Sequence, residues 1–261
     1  MRAERKVAVV IPARKEIKAI HEEKLLERVL SEIPEGYEPK LYVSVSNAEP
    51  NFVHLVEDIA SHDDRIRMLN LGTPDPRGLA YAYLFGFKQA VSDGASMVVE
   101  MDANGAHDPS YIREFLDRLE KGKGAALSSR FAPGGGIEQY PLQRQLISRS
   151  GTIAANLVLG LGRWVDDMTS GYEAFRKEVL GDIFGTLPIE KWVSVTRGPG
   201  HFFQTEMRAM VIWRKHSFDM VPIVWGAERM EEPELLPLRT VLKAFRSLMI
   251  LRSKRKELIR K

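Results

Sequence analysis

The chain has no cysteine, which excludes a disulfide framework, a cysteine-ligated zinc site and thiol catalysis together. That absence also fits a reducing compartment. Nowhere does the sequence run to the ~18 uninterrupted apolar residues that a membrane span needs. The apolar run that follows the charged start, Val7 to Pro12, is too short for the core of a secretory signal. Self-similarity at a period of roughly 20–50 residues is missing too, which sets aside solenoids and propellers. These absences predict a cytoplasmic protein, soluble or peripheral to a membrane, with no transmembrane span.

Acids are scarce in one place. From Leu238 to Lys261 there is a single acid, Glu257, against nine basic residues, so the segment carries +8 and leaves the first 237 residues at −5 out of a total of +3. A mildly acidic body with a basic end points to an anionic partner, either a lipid surface or nucleic acid. At 261 residues the chain suits one generous α/β domain with a small appendage. The expected division is a domain over 1–237 and a basic amphipathic helical tail over 238–261.

What is present alternates. Apolar runs Val7–Ile11, Leu41–Val45, Ile66–Leu69, Met97–Met101 and Ala125–Ser129 read as strands. Between them lie helical patterns over Ile17–Ile33, Val53–Ala60, Leu79–Val91 and Ser110–Lys121. This spacing predicts βαβ units and a mostly parallel sheet flanked by helices. Beyond Phe131 the pattern changes to a glycine loop (Gly134–Gly136), a long helix from Leu142 to Leu161, a polar turn at Asp166–Gly171, a helix from Phe203 to Trp213 and an edge strand around Pro222.

Open α/β sheets bind ligands beyond the carboxyl ends of their strands. Standing there are Pro12 to Glu16, Ser46 with Asn47, Asp102 to His107, and Ser129 with Arg130. Asp102 is the sharpest candidate, because an Asp at a strand end beside a second oxygen ligand can hold a divalent ion against a diphosphate. Asp108 before Pro109 reads instead as a helix cap. His201 and His216 fit no zinc spacing and read as surface or loop residues, and the four tryptophans as packing.

Several segments in order resemble the family-2 glycosyltransferases of GT-A fold, in particular the dolichyl- and polyprenyl-phosphate mannosyltransferases. They are Val9-Val-Ile-Pro-Ala-Arg-Lys-Glu16, Gly78–Ala82, Met101-Asp-Ala-Asn-Gly-Ala-His-Asp-Pro109, Ser129-Arg-Phe131 with Gly134–Gly136, and Arg144–Ser148. Asp167–Gly171, Phe203-Gln-Thr-Glu-Met207 and Val221-Pro-Ile223 complete them. The resemblance implies an inverting transfer from a nucleotide-sugar donor to a phosphate-bearing acceptor, most simply a polyprenyl phosphate. It places Pro12, Arg14, Glu16, Ser46, Arg77, Asp102, Ala103 and Asn104 on the donor, with Asp102 and Asn104 holding Mg²⁺ or Mn²⁺. Arg130, Arg144 and Ser148 fall on the acceptor phosphate. Two departures stand out: Val45-Ser-Asn47 where the family carries an Asp pair, and Asn104 where it carries the second metal-binding Asp.

A phosphate acceptor is ionised at neutral pH and needs orientation more than a base, whereas a hydroxyl acceptor would need a base, with Asp167 or Glu206 as candidates. Two other readings follow from the basic tail and the altered aspartates: a transferase acting on a hydroxymethylated pyrimidine in DNA, and a degenerate, non-catalytic module. In the tail, Leu238, Val241, Leu242, Phe245, Leu248 and Met249 recur at helical spacing among cations. The segment is therefore expected either to pack on the domain or to anchor the protein at an anionic lipid surface.

Overall fold

A computed structural model describes residues 5–73, 78–138, 142–226 and 238–259, apart from the side chain of Arg144. The first half builds the alternation in order. β1 (Arg5–Ala13), α1 (Leu25–Glu32), β2 (Tyr37–Val45), α2 (Pro50–His62), β3 (Ile66–Asn70), α3 (Gly78–Ser92), β4 (Met97–Glu100), α4 (Ile112–Glu120) and β5 (Ala125–Ser129) follow one another. The second half adds β6 (Gly136–Glu138), α5 (Leu142–Leu159), β7 (Glu173–Arg176), α6 (Lys177–Thr186), α7 (Val193–Thr196), α8 (Phe202–Trp213), β8 (Phe218–Pro222), β9 (Val224–Gly226) and α9 (Leu238–Leu258).

Seven strands form one sheet in the order β3-β2-β1-β4-β7-β5-β8. All neighbours pair in parallel except at β7, which runs antiparallel between β4 and β5. A short second sheet joins β6 to β9. Pro222 closes the outer strand β8, where its missing N–H costs no ladder bond. The stretch expected as a single strand over Val221–Trp225 is thus divided between the two sheets.

Alternation along β1 separates two cores. Val7, Val9 and Ile11 face Leu26, Val29, Phe115 and Leu116 on the side of α1 and α4, while Ala8 and Val10 face Tyr83, Phe87 and Phe203 on the side of α3 and α8. Helix α3 lies close to the sheet because residue 86 is glycine: a Cβ there would stand 2.4 Å from Val10 Cγ1. The helix expected over Ile17–Ile33 is broken. Lys24 adopts φ 50°, separating a single wide turn over Lys18–Glu22 from α1, though Ile20, Leu25, Val29 and Ile33 are all buried as the pattern requires. At the far end, α9 packs on α5, α7 and α8 and lays Leu248, Leu251 and Leu258 into the core.

Candidate active site

The carboxyl ends of β1, β2, β4 and β5 open on one side of the sheet. Beyond β4 the chain turns sharply, and Asp102 stands at the turn. Its backbone N–H donates to His107 Nδ1 at 3.0 Å, so the neutral ring carries its proton on Nε2, which lies 4.0 Å from Asp102 Oδ2. Tyr83 Oη, from α3, donates to Asp102 Oδ1 at 2.5 Å. One carboxylate oxygen is therefore held from below, and the side chain remains 31% exposed. His107 is buried and stacks on Tyr172 with ring centroids 4.7 Å apart. Burial lowers its pKa; the Asp102 charge opposes that fall and the Arg130 charge adds to it.

Beyond β5 the Ser129 hydroxyl accepts from the N–H groups of Phe131 and Ala132 at 3.1 and 2.9 Å, a local turn that presents Arg130. Gly135 folds back so tightly that a Cβ would meet Ser129 O at 2.5 Å, so this glycine run serves a close backbone approach. Arg130 donates from Nε and Nη2 to the two carboxylate oxygens of Asp167, at 2.7 and 2.9 Å, and from Nη2 to Thr169 Oγ1 at 2.6 Å. Its Nη1 makes no hydrogen bond among the described residues. The guanidinium carbons of Arg130 and Arg149 both lie over the Phe131 ring, 5.2 and 4.7 Å from its centroid. Arg149 is on α5 directly after Ser148, which is half-buried.

Several expectations change here. Asp167 is not a free carboxylate. It is fully buried, its carboxylate also accepts from the N–H groups of Thr169 and Ser170, and although burial pushes its pKa up, the charge and hydrogen bonds of Arg130 prevail and hold it at about 2. Glu206, the other candidate, lies buried on α8 and accepts from the N–H groups of Val193 and Ser194 at 2.8 and 2.9 Å, capping α7, so its carboxyl is occupied by the main chain. The Asn104 side-chain oxygen accepts from the Ala106 N–H within its own turn at 3.0 Å, which leaves it one further lone pair. Pro12 and Ala103 are buried, which leaves only their main chain for a donor. Glu16 Oε2 accepts from the N–H groups of Arg14 and Lys15 at 2.6 and 2.8 Å, shaping the loop after β1, and Arg14 is exposed there. Ser46 sits at the end of β2 with its N–H on Ala13 O. Arg77 and the Arg144 side chain lie outside the described residues. Asp108 does cap its turn, accepting from Ser110 N–H at 3.0 Å.

Sequence reasoning missed Tyr83, the structural part of His107, Arg149 and Thr169. Only Arg149 had a readable signal, as a cation adjoining Ser148 on the helix of the acceptor motif. Among the described residues no group of three or more His, Asp or Glu side chains could hold a metal ion by itself. Asp102 Oδ2 is the one carboxylate oxygen of this turn left for a cation.

A model described as "Glycosyl transferase family 2" matches residues 8–184, about two thirds of the chain. The chain belongs to that family. A polyprenol monophosphomannose synthase of Mycolicibacterium smegmatis is 33% identical over 172 residues, 66% of this chain and 60% of that one. An undecaprenyl-phosphate mannosyltransferase of Micrococcus luteus is 31% identical over 176 residues, covering 67% and 68% respectively. A dolichol-phosphate mannosyltransferase of Pyrococcus furiosus is 36% identical over 104 residues, 40% of this chain and 29% of that protein. The matched stretch therefore spans well under the full length of two of these relatives. Among solved structures, glucosyl-3-phosphoglycerate synthase from Mycobacterium tuberculosis, determined with Mn²⁺, UDP and glucosyl-3-phosphoglycerate, superposes over 97% of this chain and 81% of its own with a TM-score of 0.58 at 19% identity. That likeness shows the fold of this chain, a GT-A architecture.

Proposed function

We propose that the protein moves a sugar from a nucleotide-sugar donor to a polyprenyl phosphate with inversion at the anomeric carbon. The observation that carries this reading is the presence, at neighbouring strand ends, of a half-open Asp102 after β4 and of Arg130 after β5, the latter fixed by Asp167. The lipid-phosphate names of the relatives support the same acceptor class. In this account the phosphate oxygen of the acceptor attacks the anomeric carbon, the bond from that carbon to the diphosphate breaks, and the nucleoside diphosphate leaves. A Mg²⁺ or Mn²⁺ ion, when bound at Asp102 Oδ2 with the diphosphate supplying further oxygens, would neutralise the leaving group. Mn²⁺ and UDP in the related fold support that choice. Tyr83 holds the Asp102 carboxylate, and the His107 ring holds the Asp102 main chain. Arg130 and Arg149 orient the acceptor phosphate, with Ser148 and Arg144 of α5 on the same helix. Since Asp167 neutralises Arg130, the net attraction for an anion comes from the exposed Arg149 and its neighbours on α5.

Peripheral contact with an anionic membrane belongs to this reading. No helix among the described residues is long and apolar enough to cross a membrane. Helices α5 and α9 pack together, and their outer faces expose Leu142, Leu146, Ile153 and Leu157 on one and Leu238, Val241, Leu242, Phe245 and Met249 on the other. Arg239, Lys243 and Arg246 lie exposed among the latter. Cations interleaved with apolar side chains match a lipid headgroup region, whereas duplex DNA offers the apolar half no partner. A DNA acceptor is not favoured for that reason, and the named relatives point away from it.

The test runs the purified chain with radiolabelled UDP- and GDP-sugars and Mn²⁺, against polyprenyl phosphate and hydroxymethylated duplex DNA in parallel. Label extracted with the lipid supports the proposal. Label on DNA alone, or release of free sugar only, overturns it.

A further inference from the structure

Arg208, on α8, is fully buried, and nothing in the transfer chemistry calls for it. Burying a guanidinium is costly unless every donor is used. Here its Nε donates to Glu173 Oε1 on β7, Nη1 to the Asp167 carbonyl, and Nη2 to the Ser128 carbonyl at 2.9 Å. The two carbonyls are the informative partners. Ser128 is two residues before Arg130 on the β5 side, and Asp167 is the residue that holds the Arg130 guanidinium. The two segments meet again where Ser128 Oγ and Ser170 Oγ lie 2.6 Å apart. One planar fork therefore bridges, from beneath, the two chain segments whose side chains form the Arg130–Asp167 pair.

Glu173 is the carboxyl partner of this fork, accepting from its Nε. It lies directly across the β4–β7 ladder from Glu100, a second fully buried carboxyl whose two oxygens have no hydrogen-bond partner among the described residues. A simple core would fill these three positions with apolar side chains, which are often at least as stabilising as a buried ion pair. Retaining a charged fork at this point makes sense as a way to fix a geometry.

We propose that Arg208, with Glu173 as its counter-ion, is a positioning residue that sets the acceptor-side arginine by clamping the Ser128 and Asp167 carbonyls into one frame. This rests on the acceptor role assigned above to Arg130. The Arg208 guanidinium touches no reacting atom; it acts through Asp167 on Arg130.

The experiment uses the full chain and two readouts. The first needs no substrate: the Arg130 Nε–H, hydrogen-bonded to Asp167, is followed by ¹⁵N NMR for protection from solvent exchange. Arg208→Lys keeps the charge beside Glu173 but cannot span both carbonyls, and protection is expected to fall about tenfold. The second readout is calorimetric binding of farnesyl phosphate and, separately, of UDP or GDP with Mn²⁺. Arg208→Lys is expected to weaken farnesyl phosphate about tenfold with nucleotide affinity held within twofold. Combined with Arg130→Ala, it is expected to add nothing further, because both changes break the same link. Should Arg208→Lys fail to fold, Arg208→Met with Glu173→Gln removes fork and counter-charge together and takes its place. Unchanged Arg130 protection, an equal loss of nucleotide affinity, or additive losses with Arg130→Ala would overturn the proposal. A wild-type chain that shows the protected Arg130 signal but no affinity for farnesyl phosphate contradicts the acceptor reading instead, and the exchange result then decides the positioning role by itself.

Discussion

Asp102 and Asp167 are both aspartates in turns, one after β4 and one between α5 and β7, and their surroundings give them opposite tasks. Asp102 keeps one oxygen free and a third of its side chain open, so it can meet a cation or a diphosphate. Asp167 has every oxygen taken and no exposure, so it can only hold Arg130. Asp102→Ala should reduce sugar transfer by at least about a hundredfold, the scale of losing one electrostatic stabiliser of the leaving group, with the thermal midpoint little changed. Steady-state rates and a melting curve check it. For Asp167 the consequence is pH-dependent stability. Its folded pKa of about 2 lies below the ordinary 3.8, so the pair contributes fully above about pH 4, and its contribution is lost as pH falls toward 2. The difference of roughly two pKa units corresponds to about 2 kcal/mol. Denaturant titrations of wild type and Asp167→Asn should therefore differ by that order at pH 7 and converge between pH 4 and 2.

Among the elements, α9 shows how one helix carries two commitments. Its inner face buries Leu248, Leu251 and Leu258, and Arg252 Nη1 donates to the Leu159 carbonyl at 3.0 Å at the end of α5. Its outer face leaves Phe245 half exposed and Leu242 more so. Leu251→Ala should cost about 3 kcal/mol of stability, as for other buried leucines. Leu242→Glu with Phe245→Glu should leave the melting curve in place and sharply reduce co-sedimentation with anionic liposomes. Retained sedimentation would argue that this face does not meet lipid. Packing on the domain and an outward apolar face are not alternatives in this helix: one face is packed and the other is exposed. Periodicity could place the apolar residues on a stripe; it could not divide that stripe between a protein neighbour and an outer surface.

Over the whole molecule, the parallel half was legible because each buried strand is a continuous apolar run ending in polar residues. That rule put Arg14, Ser46, Asp102 and Arg130 at the correct edge of the sheet. What was not legible depends on distant contacts. The antiparallel insertion of β7 places Glu173 opposite Glu100, although 73 positions separate them in sequence. The roles of Asp167 and Glu206 depend on Arg130 and on the N-terminus of α7, and a motif match cannot distinguish a base from a buried brace. Lys24 breaks a helix through its backbone conformation while the apolar pattern runs on undisturbed. In the proposed reaction this cleft joins an anomeric carbon to a lipid phosphate with inversion. The most direct measurement is the NMR coupling at the anomeric carbon of the lipid product from an α-linked nucleotide sugar. A β-linked glycosyl phosphodiester is predicted. An α-linked product, or sugar recovered only as hydrolysed monosaccharide, would contradict it.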